Sequence, residues 1–167
     1  MVQVRFPGHT GPRTPGRPGI RNTYQGPAIA GRAWGIPVSN NATRSLNGLK
    51  ILVVDDSKTI RRSAETLLTK EGCQVFTAID GFDALSKIAD HQPDLIFVDI
   101  MMPRLDGYET CSLIKHNKMF KETPVIMLSS KDGLFDRARG RIVGSEQYLT
   151  KPFTKDELLG AISNQLN

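Results

Sequence analysis

Cysteine and histidine are scarce in this 167-residue chain, with two and three copies respectively. Cys73 and Cys111 stand far apart, each two positions before an apolar residue, which excludes a disulfide framework and fits reduced, partly buried thiols in a reducing compartment. His9, His91 and His116 are scattered without the spacing of a metal site. No run approaches the roughly 18 to 20 apolar residues that span a bilayer, and the N-terminus lacks the apolar core of a secretory signal. A cytoplasmic protein without a membrane span is expected.

Acidic residues are missing altogether from positions 1 to 48, where six arginines, six of the ten prolines and eight of the fifteen glycines fall. Such a segment offers no periodic apolar face. It is expected to be a disordered basic tail or a non-native extension. Its closely spaced Pro and Gly also argue against the amphipathic helix of an organelle transit peptide. The formal charge of +5 divides into +6 from the tail and −1 from residues 49 to 167, where 16 basic residues meet 17 acidic ones. The basic pI therefore belongs to the tail.

From Leu49 onward, short apolar runs alternate with segments of helical period. Residues 49–54, 74–79, 94–99, 124–128 and a weaker 146–150 read as strands, the first, third and fourth being apolar on both faces. Helices are predicted over 57–70, 81–91, 108–116, 134–143 and 154–166, with Gly72 and Gly144 where helix ends need a positive φ. Five strand–helix units predict a doubly wound α/β sandwich with a parallel sheet.

In such sheets the functional crevice lies beyond the carboxyl ends of the strands. Asp55 and Asp56 follow the first strand, and Asp99 ends the third. Taken alone they are turn or capping residues, and Asp56 is a candidate cap for the first helix. If the fold sets these strand ends side by side, three carboxylates converge and need protons or a hard cation, and oxygen-only ligands suit Mg2+. Ser129 follows the fourth strand and Lys151-Pro152-Phe153 the fifth. A hydroxyl and an ammonium group on the same rim as a metal and a carboxylate form a receptor for a tetrahedral dianion, with the carboxylate as nucleophile.

Asp55-Asp56, Asp99 with MMPRLDG after it, Ser129 and Lys151-Pro152-Phe153 together resemble the receiver domain of two-component response regulators, across residues 49–167. The segments VDDSKTIRR, AIDGFDAL, DIMMPRLDGYET and RGRIVGSEQYLTKPF resemble in particular the single-domain regulators of type IV pilus twitching motility. The resemblance implies a flavodoxin-like, CheY-like fold: a five-stranded sheet of order 2-1-3-4-5 with five helices. It also implies that Asp99 accepts a phosphoryl group from a phosphohistidine on a CheA-like histidine kinase or a phosphotransfer protein. Mg2+ would be held by Asp56, Asp99 and the main-chain carbonyl of Met101, with Asp55 acting through water. Ser129 would bind one phosphoryl oxygen and Lys151 another, with the Lys151–Pro152 bond cis. Tyr148 falls at the aromatic switch position, with a plain edge-strand tyrosine as the other reading.

Met101 and Lys131 occupy positions that vary among receivers and influence phosphate loss. A thioether cannot position an attacking water, which predicts slow loss. The expected protein is a phosphoacceptor that assists its own phosphorylation and dephosphorylation rather than an enzyme with an external substrate. An output domain after Asn167 is not expected, and output is expected through docking to an effector of pilus motility, with a flagellar or other chemotaxis-type output as the alternative. A haloacid-dehalogenase phosphatase needs an Asp where Met101 stands, and a flavodoxin-like FMN binder needs a neutral first loop, whereas this one is acidic. Nucleic-acid or scaffold binding by the Arg-rich tail is the alternative from another class.

Overall fold

The computed structural model describes residues 45–130 and 134–166. Nearly all of the Arg-rich segment and Lys131 lie outside the described residues, and with them the expectations placed on both. Five strands, β1 (Lys50–Val54), β2 (Gln74–Ala78), β3 (Leu95–Asp99), β4 (Val125–Ser129) and β5 (Gln147–Thr150), alternate with five helices. These are α1 (Lys58–Lys70), α2 (Gly81–His91), α3 (Gly107–His116), α4 (Leu134–Ile142) and α5 (Lys155–Leu166). Every strand pairing is parallel and the order is β2-β1-β3-β4-β5, as expected.

Strand alternation divides the core between the two faces of the sheet. Leu52, Val54, Ile96, Val98 and Met127 face Ala84 and Ile88 of α2 and Cys111 and Ile114 of α3. Ile51, Val53, Leu95, Phe97, Ile126 and Leu128 face Ala64 and Leu68 of α1 and Leu158, Ala161 and Ile162 of α5. Covering both faces explains why β1, β3 and β4 carry apolar residues without interruption. Each such side chain contributes about 1.5–3 kcal/mol on burial.

The expected element bounds hold to within one residue, and two of the differences matter for chemistry. Ser57, not Asp56, caps α1: Asp55 Oδ1 accepts the Ser57 amide at 2.8 Å, and this turn puts the Ser57 hydroxyl against the amide of Ile60 at 3.4 Å. Asp56 is left exposed beside it. Ser129 is the last residue of β4 rather than part of the loop after it. Gly72 and Gly144 have φ +88° and +89°, as their positions after helix ends predict. Both thiols are free and more deeply buried than expected. Burial pushes the Cys111 thiol up to about 12, and burial together with the charge of Glu71 raises that of Cys73. Both shifts disfavour the thiolate, the nucleophilic form. Among the described residues no helix is long and apolar enough to cross a membrane.

Candidate functional site

The strand order reverses around β1, so the crossovers to β2 and to β3 run on opposite faces and leave a crevice at the carboxyl ends. Val54 pairs with Val98 at the end of β1 and β3, which sets Asp55 and Asp99 side by side. Carboxylate oxygens of Asp55, Asp56 and Asp99 lie within 4.8 Å of one another. Asp55 is 0% exposed and Asp99 2%, whereas Asp56 faces solvent.

Lys151 reaches this cluster from β5. Its amide donates to the carbonyl of Ser129 at 2.6 Å, extending the pairing of β4 with β5, and the Lys151–Pro152 bond is cis. Its Nζ donates to Asp99 Oδ1 at 2.9 Å and to Asp55 Oδ2 at 3.0 Å. Ser129, 3% exposed, ends the strand between them. The structure thus brings Asp55, Asp56, Asp99, Ser129 and Lys151 to one rim.

Three carboxylates face one ammonium group, and the charges respond. Burial raises the pKa of Asp99, the Lys151 hydrogen bond lowers it, and the neighbouring Asp55 charge raises it, for a net rise. Burial pulls the Lys151 ammonium down, but its bonds to Asp99 and Asp55 outweigh that effect and leave its pKa raised. Lys151 is therefore cationic at neutral pH, and the carboxylates still outnumber it. The donors are hard oxygens with no His or Cys among them, and exposed Asp56 leaves an open side for water. That set fits Mg2+.

The loop after Asp99 is held by its own backbone. The amide of Gly107 donates to the carbonyl of Ile100 at 3.0 Å, and a Cβ on Gly107 would sit 2.3 Å from the Asp99 carbonyl oxygen, so glycine is required there. The Met101 side chain is 72% exposed. At the far side, Tyr148 lies in edge strand β5, half-buried, with its hydroxyl 2.8 Å from that of Tyr108. The Arg139 guanidinium carbon lies 4.4 Å from the centre of the Tyr108 ring.

Sequence reasoning missed Arg61. From the first turn of α1 its Nη1 donates to the carbonyls of Asp55, at 2.7 Å, and of Asp56, at 3.1 Å, fixing the acidic loop from behind. An isolated Arg on a helix carries no local signal of this. Asp106 and Glu109 were also passed over, although D-x-x-E before a helix is a capping-box pattern, and both halves of that box are formed.

Residues 51–163 match the response regulator receiver domain family. The chain is 78% identical over 116 residues to Protein PilG of Pseudomonas aeruginosa, covering 70% of this chain and 86% of that one. It is 42% identical over 109 residues to the alkaline phosphatase synthesis transcriptional regulatory protein PhoP of Bacillus subtilis, covering 65% of this chain and 45% of PhoP. Among solved structures, the chemotaxis protein CheY4 of Vibrio cholerae superposes with a TM-score of 0.68 at 33% identity, covering 70% of this chain and 98% of that one.

Proposed function

The chain belongs to the response regulator receiver family, and from that premise we propose that Asp99 is its phosphoacceptor, with residues 49–167 as the receiver unit. A carboxylate oxygen of Asp99 forms a bond to phosphorus as the phosphorus–nitrogen bond of a donor phosphohistidine breaks, and the released imidazole takes up a proton. The donor is a CheA-like histidine kinase or a phosphotransfer protein. The observation that carries this reading is the Lys151 bridge between two buried carboxylates beside a third that faces solvent.

Each neighbour has a part that its position supports. Asp56, Asp99 and the Met101 carbonyl would hold Mg2+, with Asp55 acting through water; when bound, the ion supplies positive charge to the phosphoryl oxygens. Lys151 already lies on Asp99 and moves to a phosphoryl oxygen once the acceptor is esterified. Ser129 donates its hydroxyl to another oxygen. Tyr148, packed toward Tyr108 and α4, follows Ser129 and shifts the population of states of the α4–β5–α5 face, where an effector docks. The protein thereby assists its own phosphorylation and dephosphorylation, and acts in the cytoplasm.

The motif segments and the likeness to PilG favour type IV pilus twitching motility as the output. The likeness to CheY4 supports a chemotaxis-type output as the second reading. The central claim is tested by incubation with acetyl phosphate and Mg2+ followed by intact-mass measurement. One phosphoryl group is expected on the parent and none on Asp99→Asn. Equal labelling of the two would sink it.

A further inference from the structure

Arg104 lies in the loop between Asp99 and α3 and has φ +68°, a region that a long side chain seldom enters. The amide of Leu105 donates to the carbonyl of Pro103 at 2.9 Å, closing a three-residue turn around Arg104. Turns of this kind at positive φ are rare and strained, and strain persists only where the surroundings hold it in place. Something must therefore hold Arg104, and its own side chain supplies the contacts.

The Arg104 guanidinium pairs with Oδ2 of Asp80, a residue 4% exposed at the start of α2. Oδ1 of the same carboxylate accepts the Asp83 amide at 2.9 Å as the cap of α2. The guanidinium carbon also stands 5.6 Å from the centre of the exposed Phe82 ring. Beneath this contact Gly81 packs so closely that a Cβ would lie 2.3 Å from Thr110 Oγ1 and 2.7 Å from Leu105 Cδ2. The loop after β2 and the loop after β3 are thus clamped together at two levels.

We propose that Arg104 is a positioning residue. Its latch onto Asp80 and Phe82 maintains the strained turn three residues after Met101, and so fixes where the Met101 carbonyl stands and how tightly the site takes Mg2+. The inference rests on the reading of that carbonyl as a metal ligand. Arg104 itself touches neither the carboxylate cluster nor the acceptor. Because that ligand would be a backbone atom, its position follows the conformation of the loop, which the Arg104 latch helps to hold.

The test is Mg2+ titration by calorimetry on the full chain, with melting temperature measured alongside. Arg104→Ala and Asp80→Asn are each expected to weaken Mg2+ binding about tenfold, the low end of what groups that orient metal ligands contribute. The double variant should weaken it no further than either single one, and Arg104→Lys should recover most of the affinity. Asp80→Asn keeps an acceptor for the Asp83 amide, so it retains the α2 cap even if Arg104→Ala folds poorly. Acetyl phosphate labelling of these variants should slow at low Mg2+ and recover at saturating Mg2+. A lowered melting temperature with unchanged Mg2+ affinity in both single variants overturns the proposal and leaves the site reading standing. A parent that binds no Mg2+ overturns both.

Discussion

At the amino ends of the strands, Lys115 Nζ donates to the Thr123 carbonyl at 2.9 Å and pairs with Glu146. The other Glu146 oxygen accepts the amide of Val125 at 2.6 Å, and Asp94 accepts the amide of Lys50 at 2.8 Å. Charges there meet an opposite partner or a backbone group that the strand end leaves unpaired. At the carboxyl ends three carboxylates gather on one ammonium group, and two of them are buried. The amino-end rim uses charge to finish the sheet. The carboxyl-end rim keeps a surplus of negative charge that works against folding, as sites shaped for chemistry commonly do.

The largest test of that contrast is Asp99→Asn. It should abolish phosphoryl labelling while raising stability by roughly 0.5–2 kcal/mol, the usual size of a single stabilising substitution. The pH dependence has a definite sign. A carboxyl whose folded pKa is raised binds its proton more tightly in the folded state, so its favourable contribution is present below the ordinary carboxyl pKa and lost as pH rises through the folded value. The two proteins should therefore melt alike in acid, and the variant should gain its advantage toward neutrality. Equal melting temperatures at pH 7 would break the contrast. Added Mg2+ should stabilise the parent by about 1.4 kcal/mol at ten times its Kd, and Asp99→Asn by less.

The amino-end rim should respond in the opposite sense. Glu146→Ala leaves the Val125 amide without its acceptor and Lys115 without its counter-charge, and should cost about 1–2 kcal/mol in chemical denaturation. Labelling of Asp99 should be unchanged. A stability gain in this variant would show that the two rims do not differ as argued.

The sequence already contained much of this division. Apolar runs at β1, β3 and β4 announced strands covered on both faces, and the carboxylates at their ends stood out because a buried run seldom closes on Asp. Gly72 and Gly144 marked helix ends through a backbone angle that only glycine adopts freely. What stayed hidden was set by contacts across the fold. Arg61 grips the carbonyls of Asp55 and Asp56, and Arg104 reaches Asp80 from another crossover. No local pattern distinguishes either from a solvated surface arginine. The cap of α1 was misplaced by one residue for a related reason: Asp55 and Asp56 compete with Ser57 for that role, and the buried Asp55 turns the chain in favour of Ser57.

The smallest expected change in stability separates surplus charge from mere proximity to the site. Met101 sits on the carboxyl-end rim but is exposed and uncharged, so Met101→Asn should alter stability by no more than about 0.5 kcal/mol. Its effect should fall on phosphate loss instead, because an amide can hold an attacking water where a thioether cannot. One added hydrogen bond of about 1 kcal/mol corresponds to roughly a fivefold faster loss, followed by intact mass after the phosphodonor is removed. Loss no faster than in the parent would assign the lifetime of the phosphoryl group to the buried residues of the rim and leave Met101 only its carbonyl.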